Sequence, residues 1–316
     1  MNILVTGACG YKGTVLVPKL LKAGHKVRAI DTMWFGNFLP EHENLVCIKG
    51  DIIRTEDVDI TGVDAIIHLA SIANDPTGDL NPKLTWETSC LATMRLADLA
   101  ARQGIQRFIY ASSGSVYGVQ EAQDVTEDLP LLPLSEYNKT KMVSERVLLS
   151  YSDRMAVQIV RPATVCGISA RMRLDVSVNL LTMAALSKGE ITVFGGEQTR
   201  PNIHIEDVTN LYLFLLDNPD VTGIFNAGFE NLSIMDIANM IAAKLDVPIK
   251  VTASNDPRSY RVNSDKILKA GFKPRYKVAD AIDQIITAYR DGNLNDEPHF
   301  HNLRWMEMND TATAQI

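Results

Sequence analysis

The chain has 316 residues, 46% hydrophobic and 22% charged, a balance that suits a globular protein with a sizeable core in one large or two modest domains. A net charge of −7 with no Lys/Arg block argues against nucleic acid as a partner, although a local arginine cluster can still hold an anionic ligand. No apolar run approaches membrane-span length, and a strand-like run begins at the second residue, leaving no room for a signal peptide. The four cysteines, Cys9, Cys47, Cys90 and Cys166, show no CxxC spacing and no disulfide framework, so they read as reduced thiols of a cytoplasmic protein. No His/Cys/carboxylate group has metal-ligand spacing, and no metal is expected.

Asn2 to Thr6 is a short apolar run, followed by Gly7-Ala8-Cys9-Gly10-Tyr11-Lys12-Gly13 and an amphipathic segment from Thr14 to Ala23, hence strand, glycine loop, helix. Glycines so spaced permit a tight turn, close approach of backbone to a diphosphate, and close packing of helix on strand. The helix N-terminus then faces the negative charge. A second strand, Lys26 to Ile30, ends in Asp31. An acid there suits the free ribose hydroxyls of NAD and repels the extra phosphate of NADP. Lys12, a cation beside the last glycine, tempers that preference because it can contact the diphosphate itself.

The alternation continues. Leu45 to Ile48 is a strand ending near Gly50-Asp51-Ile52, where Asp51 and Ile52 can bracket an adenine, and Ala65 to Leu69 is another, followed by Ala70-Ser71. Asn81 to Gln103 reads as one long helix with Pro82 near its start and Gly104 as its stop, and its exposed face is a candidate dimer surface. Arg107 to Ala111 is a strand running into Ser112-Ser113-Gly114-Ser115-Val116-Tyr117-Gly118. In a parallel doubly wound sheet, ligands gather at the carboxyl ends of the strands, and the candidate residues so far all fall there. Next comes Ser135-Glu136-Tyr137-Asn138-Lys139-Thr140-Lys141, opening a helix to about Leu149 with Ser135 as its N-cap. Tyr137 and Lys141 then lie one turn apart on one face. A phenol has an ordinary pKa of ~10, and a neighbouring ammonium is expected to lower it, making an acid/base for an alcohol that loses or gains a hydride.

Taken together, TGxxGxxG (Thr6 to Gly13), Asp31, GDI (Gly50 to Ile52), HLAS (His68 to Ser71), SSGSVYG and YNKTK resemble the extended short-chain dehydrogenase/reductases. Within that family they are similar to the nucleotide-sugar epimerase/dehydratase branch, from residue 2 to about residue 290. The resemblance implies an α/β Rossmann domain with tightly held NAD and a smaller carboxyl-terminal α/β substrate domain. It also implies a homodimer through helices 83–103 and 135–150. Tyr137 would be the acid/base, Lys141 its tuner and a nicotinamide-ribose ligand, and Ser113 the catalytic hydroxyl. Gly7, Gly10, Tyr11, Lys12, Gly13, Asp31, Asp51, Ile52, Leu69, Ala70 and Ser71 would contact the cofactor, with Pro162 shaping the nicotinamide side. The substrate would be a nucleotide-diphosphate sugar. Arg200 and Arg258 would hold its diphosphate, Asn179 and Phe194 would lie near the phosphates and base, and Ser115 would contact the sugar.

Departures from the family pattern narrow the activity. Dehydrating relatives carry an acidic pair just after the catalytic Ser/Thr, and decarboxylating relatives keep a Glu at the second of those positions; here they are Gly114 and Ser115. What remains first is hydride transfer at sugar C4, as a 4-epimerase or alternatively a C4 dehydrogenase or 4-keto reductase, with a 4,6-dehydratase or a non-catalytic NAD-binding protein ranked below them. Ser89 stands where relatives have Asn near the start of the long helix.

In the second half, Ala156 to Val160 is a strand leading through Pro162 into the substrate domain. Cys166 reads as a packed residue, since hydride chemistry needs no thiol. Arg171-Met172-Arg173 is either a basic lead-in to the helix Val176 to Ser187 or a substrate contact. His204 reads as structural. Helices follow at about 234–245, 264–270 and 278–289. The expected division is 1–163 plus about 203–231 for the dinucleotide domain and about 164–202 plus 232–305 for the substrate domain. Residues 306–316 are expected to be a loose tail.

Overall fold

The computed structural model describes residues 1–54, 57–122, 124–253 and 259–309. In chain order its strands are β1 (Asn2–Thr6), β2 (Lys26–Asp31), β3 (Leu45–Lys49), β4 (Ala65–His68), β5 (Arg107–Ala111), β6 (Asp124–Val125) and β7 (Ala156–Pro162). Then come β8 (Thr164–Cys166), β9 (Ile191–Phe194), β10 (Thr199–His204), β11 (Gly223–Ala227), β12 (Glu230–Ser233), β13 (Ile249–Thr252) and β14 (Arg261–Val262). The helices are α1 (Gly13–Lys22), α2 (Asp75–Leu80), α3 (Pro82–Trp86), α4 (Ala92–Arg102), α5 (Glu136–Leu149) and α6 (Ser177–Lys188). They continue with α7 (Ile205–Asp217), α8 (Ile234–Leu245), α9 (Asp265–Lys269), α10 (Val278–Arg290) and α11 (Asn302–Met308).

Seven parallel strands form the central sheet in the order β11-β7-β5-β4-β1-β2-β3. Their Val/Ile-rich sequences are buried on both faces, as a sheet flanked by helices requires. One core packs α1 and α7 against one face, and a second packs α4 and α5 against the other. A separate core lies among α6, α8, α10 and β9. The chain leaves β1 towards β2 and β3, then returns to place β4 on the other side of β1, so the direction of winding reverses between β1 and β4. Such a reversal opens a crevice at the carboxyl edge, where ligands of this architecture settle.

The glycine loop occupies that crevice. Gly7 has φ +67°, and a Cβ on it would lie 2.6 Å from the Ala70 backbone nitrogen. A Cβ on Gly13 would lie 2.3 Å from the Ala8 carbonyl oxygen. Only glycine fits at either place. His68 fixes the neighbouring strand end: it is fully buried, with Nδ1 2.6 Å from Thr6 Oγ1 and Nε2 2.8 Å from Thr93 Oγ1. Burial, then the Lys141 charge, push its imidazole down to about 3. It is a neutral tie between β1, β4 and α4.

Two sequence expectations need correction. The long helix is interrupted by a π-turn at Glu87–Leu91 between α3 and α4. That wide turn brings Ser89 Oγ to 3.1 Å from both the Ile72 nitrogen and Ser71 Oγ, so Ser89 steadies the loop after β4. The tail is not loose at its start. Within α11, Met306 is 2% exposed and packs with Ile72, Leu84, Trp34 and Phe35. Residues 310–316 lie outside the described residues.

Candidate active site

A cleft with a cavity volume of about 470 Å³ runs along the carboxyl edge of the sheet. Gly7, Gly10, Tyr11, Lys12, Gly13, Asp31, Asp51, Ile52, Leu69, Ala70, Ser71 and Pro162 line it, together with Ser113, Ser115, Tyr137, Lys141 and Arg200. Three sequence candidates behave otherwise. Asn179 is fully buried, and its amide is spent inside the protein: Oδ1 accepts from Gly167 N at 3.0 Å, and Nδ2 donates to the Tyr11 hydroxyl at 3.0 Å and the Arg173 carbonyl at 2.8 Å. It braces the glycine loop and leaves no group for a phosphate. Phe194 is 62% exposed at the end of β9, outside the cleft. Arg258 lies outside the described residues.

Ser135 caps α5 as its sequence suggests, its hydroxyl oxygen accepting from Asn138 N at 3.2 Å and its proton going to Asp75 Oδ1 at 2.8 Å. The helix thereby starts at the cleft wall and presents Tyr137 and Lys141 from one face. α2 crosses close beside it, where a Cβ on Gly78 would lie 2.9 Å from Tyr137 Cβ. The Ser113 side chain faces the Tyr137 phenol and favours its charged form. Ser113 Oγ is also 2.7 Å from Ser115 Oγ, which donates to Asn138 Oδ1, so a chain of polar groups leads from the phenol into α5. Lys141 is 2% exposed, donates to the Ala111 carbonyl at 2.7 Å, and sits 5.8 Å from the Tyr137 ring centre.

The expected tuning has the opposite sign. Burial pushes the Tyr137 phenol up from its ordinary value, outweighing Ser113 and the Arg173 charge, while Asp75 adds to the rise. Burial also pushes the Lys141 ammonium well down, and Lys12 pushes it further in the same direction. Both shifts disfavour the charged forms of the pair.

Beneath the serine loop lies a buried ion pair. Arg161 Nε and Nη2 donate to the two Glu145 oxygens at 2.9 and 2.6 Å, Arg161 Nη1 donates to the Tyr117 hydroxyl at 2.7 Å, and Ser112 Oγ donates to Glu145. Both charged side chains are 2% exposed or less. This fork joins β7, α5 and the loop carrying Ser113, fixing the hydroxyl relative to the phenol.

The cleft fits a dinucleotide. Gly7 and Gly13 form a cradle that any Cβ would fill, at the N-terminus of a ten-residue helix. Both Asp31 oxygens accept backbone N–H groups, from Cys9 at 2.9 Å and Met33 at 2.7 Å, which helps hold a carboxylate where a ribose would meet it. Sequence reasoning missed several cleft residues. Trp34, Phe35, Asn74, Asp75, Asn302 and Met306 line the cleft but carry no local motif, because tertiary packing alone brings them there. Arg171, Arg173 and Asp175 also line it; the Arg-Met-Arg spacing was visible but fitted a helix lead-in equally well. Among the described residues, no group of three or more His, Cys, Asp or Glu is placed to hold a metal, and no helix is long and apolar enough to cross a membrane.

The chain is 29% identical over 304 residues to UDP-glucuronic acid decarboxylase 1 of Danio rerio, covering 90% of this chain and 72% of that protein. It is 27% identical to UDP-glucose 4-epimerase of Mycolicibacterium smegmatis, covering 92% and 99%. The solved structure of MoeE5 in complex with UDP-glucose and NAD superposes with a TM-score of 0.81 at 26% identity, covering 92% of this chain and 99% of that one. The profile of the NAD dependent epimerase/dehydratase family matches residues 3–228. A match of that extent, laid over a cleft shaped for a dinucleotide, means that this Rossmann-type chain belongs to the NAD dependent epimerase/dehydratase family and is an NAD-dependent enzyme.

Proposed function

We propose that the chain is a nucleotide-sugar 4-epimerase. The observation that carries this reading is a Ser113–Tyr137–Lys141 set whose serine is followed by Gly114 and Ser115, the positions where dehydrating and decarboxylating relatives hold acids. When bound, NAD would accept a hydride from sugar C4 and return it. The protein's own groups handle the proton. Tyr137 takes it from the C4 hydroxyl and gives it back, while Ser113 holds the reacting oxygen in line with the phenol. Making the phenolate requires an environment that favours charge; Ser113 and Arg173 already act in that direction. Arg200, on the cleft wall, holds the sugar-nucleotide diphosphate, a task suited to a guanidinium fork. The likeness to a UDP-glucose 4-epimerase and to MoeE5 with UDP-glucose supports this substrate class.

The test is incubation with UDP-, dTDP-, GDP- and CDP-sugars, with products resolved by NMR and NADH followed by absorbance. Interconversion of C4 epimers without net NADH supports the proposal. Stoichiometric NADH points to a C4 dehydrogenase, and release of carbon dioxide or loss of water at C5 and C6 overturns the reading. The outer faces of α4 and α5, where Met94 is 43% exposed, are the proposed homodimer surface. A monomer in sedimentation equilibrium contradicts it.

A further inference from the structure

Arg171 is an unusual side chain for the inside of a protein. It is 2% exposed, yet it lines the cleft. Among the described residues, its Nη2 donates to Asn302 Oδ1 at 2.5 Å, its Nη1 makes only a long 3.4 Å contact with the Met172 carbonyl, and its Nε has no partner. The guanidinium lies 4.0 Å over the Phe35 ring. Its neighbour Arg173 pairs with Asp175 at 2.8 Å, whereas Arg171 forms no ion pair among the described residues. A buried cation without an ion pair is costly, and burial, then Arg173, push it down to about 9 against the opposing charges of Asp175 and Asp31.

The surroundings say which anion would match it. Residues 169–171 are stitched to the start of α1: Ser169 Oγ donates to the Tyr11 carbonyl at 2.8 Å and lies 2.6 Å from Thr14 Oγ1, and Arg171 N reaches Thr14 Oγ1 at 3.4 Å. The Arg171 charge is felt by Asp31, at the adenosine-ribose end. The side chain therefore stands between the ribose acid and the glycine loop, where a dinucleotide diphosphate lies in this architecture.

We propose that Arg171 is a diphosphate ligand of the bound dinucleotide, placed beside the glycine loop. Asn302 is its positioning residue. Besides accepting from Arg171, Asn302 donates its backbone N–H to Asp175 at 3.2 Å and its amide to the Ala73 carbonyl at 3.4 Å. The carboxyl-terminal helix α11 thus acts as a strap that keeps the arginine in register.

The inference rests on the dinucleotide reading of the cleft, and its test separates the two. Full-length protein stripped of nucleotide is titrated calorimetrically with adenosine, ADP, NAD and NADP, for wild type, Arg171→Met and Arg171→Lys. Loss of one charge-assisted phosphate contact should weaken ADP and NAD about 10- to 100-fold in Arg171→Met while leaving adenosine within about 2-fold, with Arg171→Lys between the two. Ligand-free Arg171→Met should melt at or above the wild-type temperature, because a buried cation without an ion pair has been removed; if it melts lower, the ADP-to-adenosine ratio in Arg171→Lys decides. Equal weakening of adenosine and ADP, unchanged ADP binding, or a loss confined to NADP overturns the proposal. A wild-type chain that bound neither ADP nor NAD would overturn the cofactor reading as well.

Discussion

Replacing Glu145 by Leu should destabilise the protein strongly, and replacing Glu145 and Arg161 together should not. Glu145 receives two guanidinium hydrogen bonds and the Ser112 hydroxyl, and it is 1% exposed. Without it the Arg161 side chain keeps, among the described residues, only the Tyr117 hydroxyl as a hydrogen-bond partner and remains a charge in a medium that solvates it poorly. Breaking a buried pair from one side costs about 3–5 kcal/mol, whereas exchanging both partners for apolar residues of similar volume is often neutral. Equilibrium urea unfolding of Glu145→Leu, Arg161→Met and the double variant gives the three values. The single variants should each lose at least ~3 kcal/mol, and the double variant less than either. The loop carrying Ser113 rests on this fork, so turnover should follow stability in the single variants. A Glu145→Leu loss below about 1 kcal/mol, or a double variant as unstable as the sum of the singles, would refute the reasoning.

Further expectations follow from the same geometry. His68, held near 3 in the fold against an ordinary 6.5, is neutral when folded and charged when unfolded across that interval. The unfolded state then binds the extra proton, so stability is full above about pH 6.5 and falls as pH drops towards 3, by at most roughly 4–5 kcal/mol at about 1.4 per unit. Urea midpoints of wild type and His68→Gln from pH 7 to 4 check this; an equally steep acid limb in the variant contradicts it. Gly7→Ala places a Cβ 2.6 Å from Ala70 N at positive φ, and should cost on the order of 1–3 kcal/mol of strain and most of the NAD affinity. Wild-type affinity measured by tryptophan quenching would be incompatible with the cradle described.

Much of the cleft wall was legible because local chemistry dictates it. Glycines that must lie against backbone, an acid at a strand end and an N-capped helix each leave a signature within a few residues, and the structure gathers them on one edge. The departures from the sequence pattern arise where distant packing decides. Asn179 sits near the right segment, but its amide is consumed by Gly167, Tyr11 and Arg173, contacts that no local spacing reveals. Phe194 follows a strand pattern yet ends up facing solvent. α11 is only seven residues long, and what holds it is Trp34 and Phe35, some 270 positions earlier; Trp305 Nε1 donates to the Trp34 carbonyl at 2.7 Å. The sign of the Tyr137 shift was also beyond the sequence, because the spacing of a Tyr and a Lys on one helix face says nothing of how deeply both are buried.

The most direct measurement is the rate of C4 epimer interconversion by Tyr137→Phe, made alongside its NAD affinity. The account predicts NAD binding within about 2-fold of wild type and a rate lower by about 10²–10⁴-fold, the usual span for loss of a positioned acid/base. Undiminished interconversion in the phenylalanine variant would show that the proton travels by some group other than this phenol.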